Sequence, residues 1–257
     1  MRLPKPLRAI GALVLREMAT SYGRTAGGYL WAVLEPVFAV ILLSVTFSLA
    51  FHKPPLGRDF VLFYATGYLP FMLYSDLAQK IGVALRFSRP LLAYPAVNWL
   101  DALVARFLLN TLIHVVVLTV VLGGILALAG RPVSINAPLV GLGILTGAIL
   151  GFSVGAMNAF LFEMFPVWER LWLILNRPLF IVSGVLFLPD SVPAPFFDWL
   201  WFNPVMHVIA ITRAGLYPTY AASFSQPGYV LVVSGLILAF ALIFLRRFSR
   251  QLMGDNG

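Results

Sequence analysis

The amino-acid sequence predicts an all-α integral membrane protein with six transmembrane helices, an N-terminal amphipathic interfacial helix and an outer re-entrant helical hairpin between spans five and six. Three observations lead there. Of the 257 residues, 60% are hydrophobic and only 11% charged, where a soluble domain has about 45–50% and about 25%. Six apolar runs approach the roughly 20 residues a helix needs to cross a hydrocarbon core. The basic residues between those runs alternate in density from one connection to the next.

The N-terminal residues 1–28 come first. Leu3, Leu7, Ile10, Val14 and Met18 recur at spacings of three and four, with Arg8, Arg16, Thr20 and Arg24 on other faces. That is the pattern of a helix lying in the interface. Arg8, Arg16, Glu17 and Arg24 interrupt the stretch that a secretory signal would keep apolar, so it reads as a mature tail.

The spans follow in order: Tyr29–Phe51, about Phe60–Gln79, about Leu103–Ala129, Pro138–Phe162, Leu171–Leu188 and Gly228–Leu245. The second is the weakest, because Asp76 and Gln79 lie near its end. Even parity puts both termini on one side. Thirteen of the eighteen Lys and Arg fall in the N-terminal tail, the second-to-third and fourth-to-fifth connections and the C-terminal tail. Lys53, Arg58, Arg131 and Arg213 fall on the other side, and Arg106 lies inside the third span. Basic residues near span ends stay cytoplasmic, so both termini are predicted in the cytoplasm and the net charge of +8 reads as topology and not as a nucleic-acid footprint.

Between spans five and six, residues 189–227 hold two apolar pieces, Ala194–Phe202 and Val205–Tyr217, separated by Asn203-Pro204. Each is too short to cross, and proline breaks the helix between them. The pieces read as a helical hairpin dipping into the outer leaflet, with a pair of surface-lying helices as the alternative. One transmembrane domain thus covers residues 1–257, ending in span six (228–245) and a short tail (246–257).

Candidate chemistry is sparse. The absence of cysteine excludes disulfides, thiolate metal sites and thiol nucleophiles, and His52, His114 and His207 are far apart. No acid/base constellation and no nucleotide-binding G-x-x-x-x-G-K-[ST] occurs, so no cofactor is expected in this chain. Asp76, Asp101, Glu163 and Glu169 lie near span ends and read as interfacial carboxylates. Glu35 and Arg106 lie inside spans, where a central charge costs about 2.5–3.5 kcal/mol on insertion scales. Glu35 precedes a helix-kinking Pro36 and either pairs with a neighbouring arginine or serves a pathway; Arg106 is expected to snorkel toward the inner surface. His114 reads as a neutral histidine bonded across helices in preference to a proton relay.

Trp99, Trp168, Trp172, Trp199 and Trp201 fall at predicted span ends, as interface anchors do. Tyr29, Trp31, Tyr64, Tyr68, Phe71 and Tyr74 offer a sharper reading, a wall on which sugar faces stack. Tyr64, Tyr68 and Phe71 share one helical face.

The run Tyr22-Gly23-Arg24, Gly27-Gly28-Tyr29-Leu30-Trp31, Leu34-Glu35-Pro36 resembles the start of the first span in the permease subunits of type-two ABC exporters for capsular polysaccharides, the group-2 capsule exporters in particular. Tyr94-Pro95-Ala96-Val97 with Asp101 through Arg106, and Phe202-Asn203-Pro204-Val205-Met206-His207-Val208-Ile209 with Arg213 and Tyr217-Pro218, agree with the same family. The resemblance implies a homodimeric permease of the bacterial inner membrane, joined to two cytoplasmic ABC ATPase subunits that bind ATP and Mg. It implies as cargo a lipid-linked acidic polysaccharide, delivered toward a periplasmic co-polymerase and an outer-membrane channel. It further implies ATPase coupling at Arg8, Arg16, Arg86, Tyr94, Pro95 and Asn98, and an outer hairpin built on Asn203, Pro204, His207 and Arg213. Arg24 and Arg89 are then candidates for the anionic linker or membrane lipid, and Glu35 joins the aromatic wall as pathway. On the same fold the cargo alternatives are O-antigen, teichoic acid or a drug. Readings of another class are a membrane-embedded transferase, a secondary transporter or a scaffold.

Overall fold

The computed structural model describes residues 5–21, 28–92, 98–129 and 134–248. Among these it is all helical. The helices are α1 (Lys5–Ser21), α2 (Gly28–Ala50), α3 (Phe60–Gly82), α4 (Ala84–Leu92), α5 (Trp99–Leu128), α6 (Ala137–Met164), α7 (Pro166–Val182), α8 (Phe196–Trp201), α9 (Pro204–Leu216) and α10 (Pro227–Arg247). A short 3-10 turn, Pro189–Ser191, precedes α8.

Local chemistry sets the helix starts. Pro166, Pro204 and Pro227 stand at first positions, where a missing N–H costs nothing and the fixed φ suits the helix. Asn136 caps α6 by accepting from the Leu139 N–H, and Asn203 caps α9 by accepting from Val205 N–H at 3.0 Å. Asp101 Oδ2 accepts from the Asn98 N–H at 3.0 Å, one arm of a capping box that starts α5 four residues before the predicted Leu103. The predicted fifth span also shifts. Its helix begins at Pro166 and ends at Val182 instead of running to Leu188, because Gly184 takes a left-handed φ of 78°.

Among the described residues, four helices are long and apolar enough to cross a membrane: α2 from Leu30, α5, α6 and α10. The other two predicted spans are present as helices of a different kind. α3 carries Tyr64, Tyr68, Tyr74, Ser75, Asp76, Gln79 and Lys80, which lower its hydropathy, yet most of its residues are buried. α7 has 17 residues, none of them fully buried. Its apolar side chains Leu171, Leu173, Ile174, Leu175, Ile181 and Val182 are all exposed.

α6 is the centre of the bundle, with α3, α9 and α10 packed on it. Gly143, Gly147, Gly151 and Gly155 recur every four residues on α6 and so form one stripe. A Cβ at Gly151 would lie 2.8 Å from Leu77 Cβ and 3.1 Å from the Tyr74 carbonyl oxygen, and one at Gly155 would lie 2.7 Å from Ile81 Cβ. At Gly147 it would meet Val208, and at Gly143 it would collide with Thr212. The lower half of the stripe therefore seats α3 and the upper half α9, the small-residue packing that suits helices without a hydrophobic drive between them.

Around that axis lie three apolar cores. Leu77, Ile81, Leu103, Ala156 and Leu245 join α3, α5, α6 and α10. Val40, Leu62, Leu69, Val117 and Leu216 join α2, α3, α5 and α9. Leu150, Val185, Val208 and Val230 close the end that carries α8. Gly155→Ala forces α6 from α3 at a cost of about 1–3 kcal/mol, whereas Gly141→Ala on the same helix meets nothing within 4 Å. Thermal unfolding of the purified protein in detergent is expected to drop for the first and to stay level or rise slightly for the second.

Candidate transport pathway and coupling elements

One end of the bundle gathers α1, α4 and the α6–α7 turn through charge. Arg106, predicted to reach water, instead has its guanidinium buried: Nε lies 2.9 Å from Glu17 Oε1 and Nη1 donates to the Lys80 carbonyl at 2.6 Å. The Phe87 ring takes the Arg106 guanidinium at 4.4 Å and that of Arg16 at 5.4 Å. The snorkelling expectation fails because α1 covers the end of α5 and brings its own carboxylate. This also rotates α1. Among its described side chains Leu13 and Glu17 are the buried ones, while Met18, placed on the apolar face by spacing, is exposed. Burial raises the Glu17 carboxyl above the ordinary glutamate range, with the Arg106 guanidinium working against that rise.

α4 was not foreseen as a helix. It is clamped to the α6–α7 turn by Arg86, which bonds Glu169 at 2.8 Å and Glu163 at 3.4 Å, and by Arg89, which bonds Glu163 at 2.7 Å. The bond to Glu169 is the main reason that the Arg86 guanidinium holds its proton even more firmly than usual. Glu163 and Glu169, read as solvated interfacial groups, are thus paired within the chain. Asn98 caps α5, and Arg8 is exposed on α1. Arg24, Tyr94 and Pro95 lie outside the described residues.

The predicted aromatic wall separates into three groups. Tyr64, 1% exposed, packs among Phe47, Phe60 and Phe63, and Tyr74 and Phe71 are buried too. Tyr68 is half-buried, edge-on to Phe180 of α7 at 6.2 Å, and lies within electrostatic reach of Glu35 and Asp76. Trp31 is 60% exposed, and Glu35, one turn further along α2, is exposed as well. Tyr29 stands in the first turn of α2.

Asp76 is not the isolated interfacial carboxylate that its position suggested. His114 Nε2 lies 3.2 Å from its Oδ2, and Lys80 Nζ lies 3.1 Å from the same oxygen. His114 is bonded across helices, as read, and its partner is an acid on α3. Polar residues that composition did not single out tie α7 to its neighbours: Asn176 Nδ2 donates to Ser75 Oγ of α3, and Trp168 Nε1 donates to Asn158 of α6 at 3.1 Å. Trp168 and Trp172 therefore face into the bundle, whereas Trp199 of α8 is 76% exposed. An amide inside a predicted span was the available signal for Asn158 and Asn176.

At the opposite end the hairpin residues hold α9 in place. Asn203 Nδ2 donates to Ser183 Oγ at 3.0 Å, and Pro204 opens the helix. His207 accepts the Gln226 N–H at Nδ1, which leaves Nε2 to donate to the Trp201 carbonyl at 2.7 Å. Arg213 is fully buried, and among the described residues no carboxylate faces it. Nη1 donates to the carbonyls of Gly184 (2.6 Å) and Phe187 (3.2 Å), and Nη2 to that of Val185 (2.9 Å). Its guanidinium also lies over the Phe63 ring at 4.3 Å. Gly67 supplies the space, since a Cβ there would sit 2.6 Å from Nη2. α9 is buried in the bundle along nearly its whole length, while α8 has no buried residue and lies on the surface.

Residues 8–217, spanning five of the six predicted crossings and the hairpin, match the family described as ABC-2 type transporter. The chain belongs to the ABC-2 type transporter family. It is 30% identical over 240 residues to the polysialic acid transport protein KpsM of Escherichia coli, covering 92% of each chain. It is 24% identical over 243 residues to the capsule polysaccharide export inner-membrane protein CtrC of Neisseria meningitidis serogroup A, covering 95% of this chain and 92% of that one. It is 23% identical over 247 residues to the capsule polysaccharide export inner-membrane protein BexB of Haemophilus influenzae, with the same coverage.

In this ABC-2 chain the Glu17–Arg106 pair is the buried ion pair that joins α1 to the bundle, among the described residues. Glu17→Leu strands the buried guanidinium and is expected to cost about 3–5 kcal/mol, while Glu17→Leu with Arg106→Met recovers most of the loss. Denaturant or thermal unfolding of the four proteins of that cycle checks it; simple addition of the two single effects is the contrary result.

Proposed function

We propose that this chain is the permease of an ATP-driven exporter that moves lipid-linked acidic capsular polysaccharide from the cytoplasm across the bacterial inner membrane. The observation that carries the reading is end-to-end similarity, over 92% of both chains, to a protein described as transporting polysialic acid, itself an acidic glycan. The two capsule export relatives of like coverage point to the same cargo class.

In this reading α2, α3, α5, α6, α7 and α10 make six crossings and the α8–α9 pair is re-entrant from the outer side. The end bearing α1, α4, Arg86 and Arg89 is cytoplasmic, in line with the excess of basic residues in the connections on that side. A separate ATPase, two copies on a permease homodimer, binds ATP and Mg and pushes on α1 and on the segment from Arg86 to Asn98. Arg8 is free of ion pairs among the described residues and suits that contact, whereas Arg86 transmits force to the α6–α7 turn through Glu163 and Glu169. Arg24 and Arg89, with their basic neighbours, meet the anionic linker. Beyond the membrane a periplasmic co-polymerase and an outer-membrane channel receive the polymer.

The pathway in this reading runs along the exposed face of α2 at Trp31 and Glu35, with Tyr68 behind them. A flat indole lets a sugar stack without holding it in one register. Trp31→Ala is expected to lower surface polysaccharide about fivefold, the worth of roughly 1 kcal/mol of stacking, with membrane abundance unchanged. Equal loss of both sinks that role. Purification in nanodiscs from the native membrane tests the wider reading. An ATP-binding subunit at equal stoichiometry, whose hydrolysis responds to acidic polysaccharide, supports it, and a silent chain without such a partner overturns it.

A further inference from the structure

Three of the seven buried side-chain atoms without a hydrogen-bond partner among the described residues are Gln79 Oε1, Trp172 Nε1 and Asn176 Oδ1. All three stand at, or one helical turn from, the Asn176–Ser75 hydrogen bond that forms a seam between α3 and α7. Ser75 and Gln79 are a turn apart on one face of α3, Trp172 and Asn176 a turn apart on one face of α7, and the Asn176–Ser75 hydrogen bond joins the two faces. Whichever way the Asn176 amide is turned, one end meets Ser75 and the other meets nothing. At the α8 end of the seam, Phe180 of α7 packs edge-on against Tyr68 at 6.2 Å and Phe71 at 5.2 Å.

A buried donor or acceptor left unpaired costs about 1–3 kcal/mol, so a row of them calls for a ligand. The same seam explains why α7 has its apolar residues on the outside and its amide and indole within. A row of amide, hydroxyl and indole N–H groups flanked by rings is the chemistry that recognises sugar: hydroxyls bond to the first kind and C–H faces stack on the second. α7 is also the long helix with no fully buried side chain, bounded by Pro166 and Gly184.

We propose that the α3–α7 seam is a sugar-binding row, built from Ser75, Gln79, Trp172 and Asn176, that α7 uncovers when it moves away from α3 during transport. The proposal rests on the export reading above and adds where sugar hydroxyls are held. In the closed seam the unpaired atoms are a standing cost; in the open one they bond to the passing glycan. The row binds hydroxyl groups and carries no charge of its own, so it grips the sugar ring while the basic residues elsewhere handle the acidic groups.

The test uses cells lacking the chain, complemented with the wild type or with Trp172→Phe or Gln79→Met, substitutions that remove the unpartnered Trp172 Nε1 and Gln79 Oε1 and break none of the hydrogen bonds described above. Surface acidic polysaccharide is read by a cationic dye, membrane abundance by a tag and thermal stability on the purified protein. The expected result is about a tenfold fall in export at equal abundance, with stability unchanged or raised. A structural role gives the opposite, lower stability with export following abundance, and overturns the proposal. If either variant does not accumulate, the other carries the test.

Opening is read separately. The chain has no cysteine, so Asn176→Cys gives one thiol, probed with a methanethiosulfonate reagent in the complex with its ATPase. Labelling is expected to rise about tenfold during ATP turnover relative to a hydrolysis-dead ATPase; equal protection in both overturns the proposal. If the wild type does not restore export to the deleted cells, the export reading itself fails, a result distinct from either outcome above.

Discussion

A polar group inside an apolar bundle must be answered from within the chain, because lipid offers it nothing. That constraint organises this molecule more than any single apolar contact. Arg213 is answered by three backbone carbonyls freed where α7 ends, Arg106 by Glu17 and the Lys80 carbonyl, and Asp76 by His114 and Lys80. Each answer ties together elements far apart in sequence. Arg213 fixes the turn after α7 to α9, Glu17 fixes α1 to α5, and Asp76 fixes α3 to α5. Buried charges met in this way add little net stability but penalise every arrangement in which they are not met.

The glycine stripe of α6 makes those meetings possible. With α3 against its lower half and α9 against its upper half, the backbone approach is close enough for Arg213 to reach across the end of α3 through the gap left by Gly67. Side chains at Gly143 or Gly147 would lift α9 off α6 and leave Arg213 without its carbonyls. Packing and polar satisfaction are in this sense one device. Small residues set the distance, and the buried arginine selects the geometry at that distance.

Much of the fold was legible because length and apolarity are local properties. All six apolar runs became helices, and Asn203-Pro204 broke the hairpin where proline chemistry requires. α4 was less legible, since a nine-residue amphipathic helix between two spans looks like a charged connection. The buried face of α1 was misread because spacing ranks residues by apolarity, whereas Glu17 turns inward to meet a charge on another helix. The candidate site was less legible again. Periodicity groups Tyr64, Tyr68 and Phe71 on one face of α3, but it cannot say that Phe47 and Phe63 cover the first while α7 covers the others. Facing partners are tertiary facts: type and position marked Glu35, Arg106, Asp76 and His114 as charged or polar groups in or near spans, but not what each would meet.

The distribution of burial divides the bundle mechanically. α3, α6 and α9 share close backbone contact and buried polar ties. α2 and α7 are different: both expose many apolar side chains, and α7 has no fully buried residue, its ties being Phe180, the Asn176 amide, Trp168 on Asn158 and Glu169 on Arg86. Elements with few buried contacts occupy the low end of the range of local stabilities and are the ones that shift. The clamp of Arg86 and Arg89 on the α6–α7 turn joins α4 to the start of α7. α4 and the start of α7 are thus joined through charge, at the edge of the tightly packed centre formed by α3, α6 and α9.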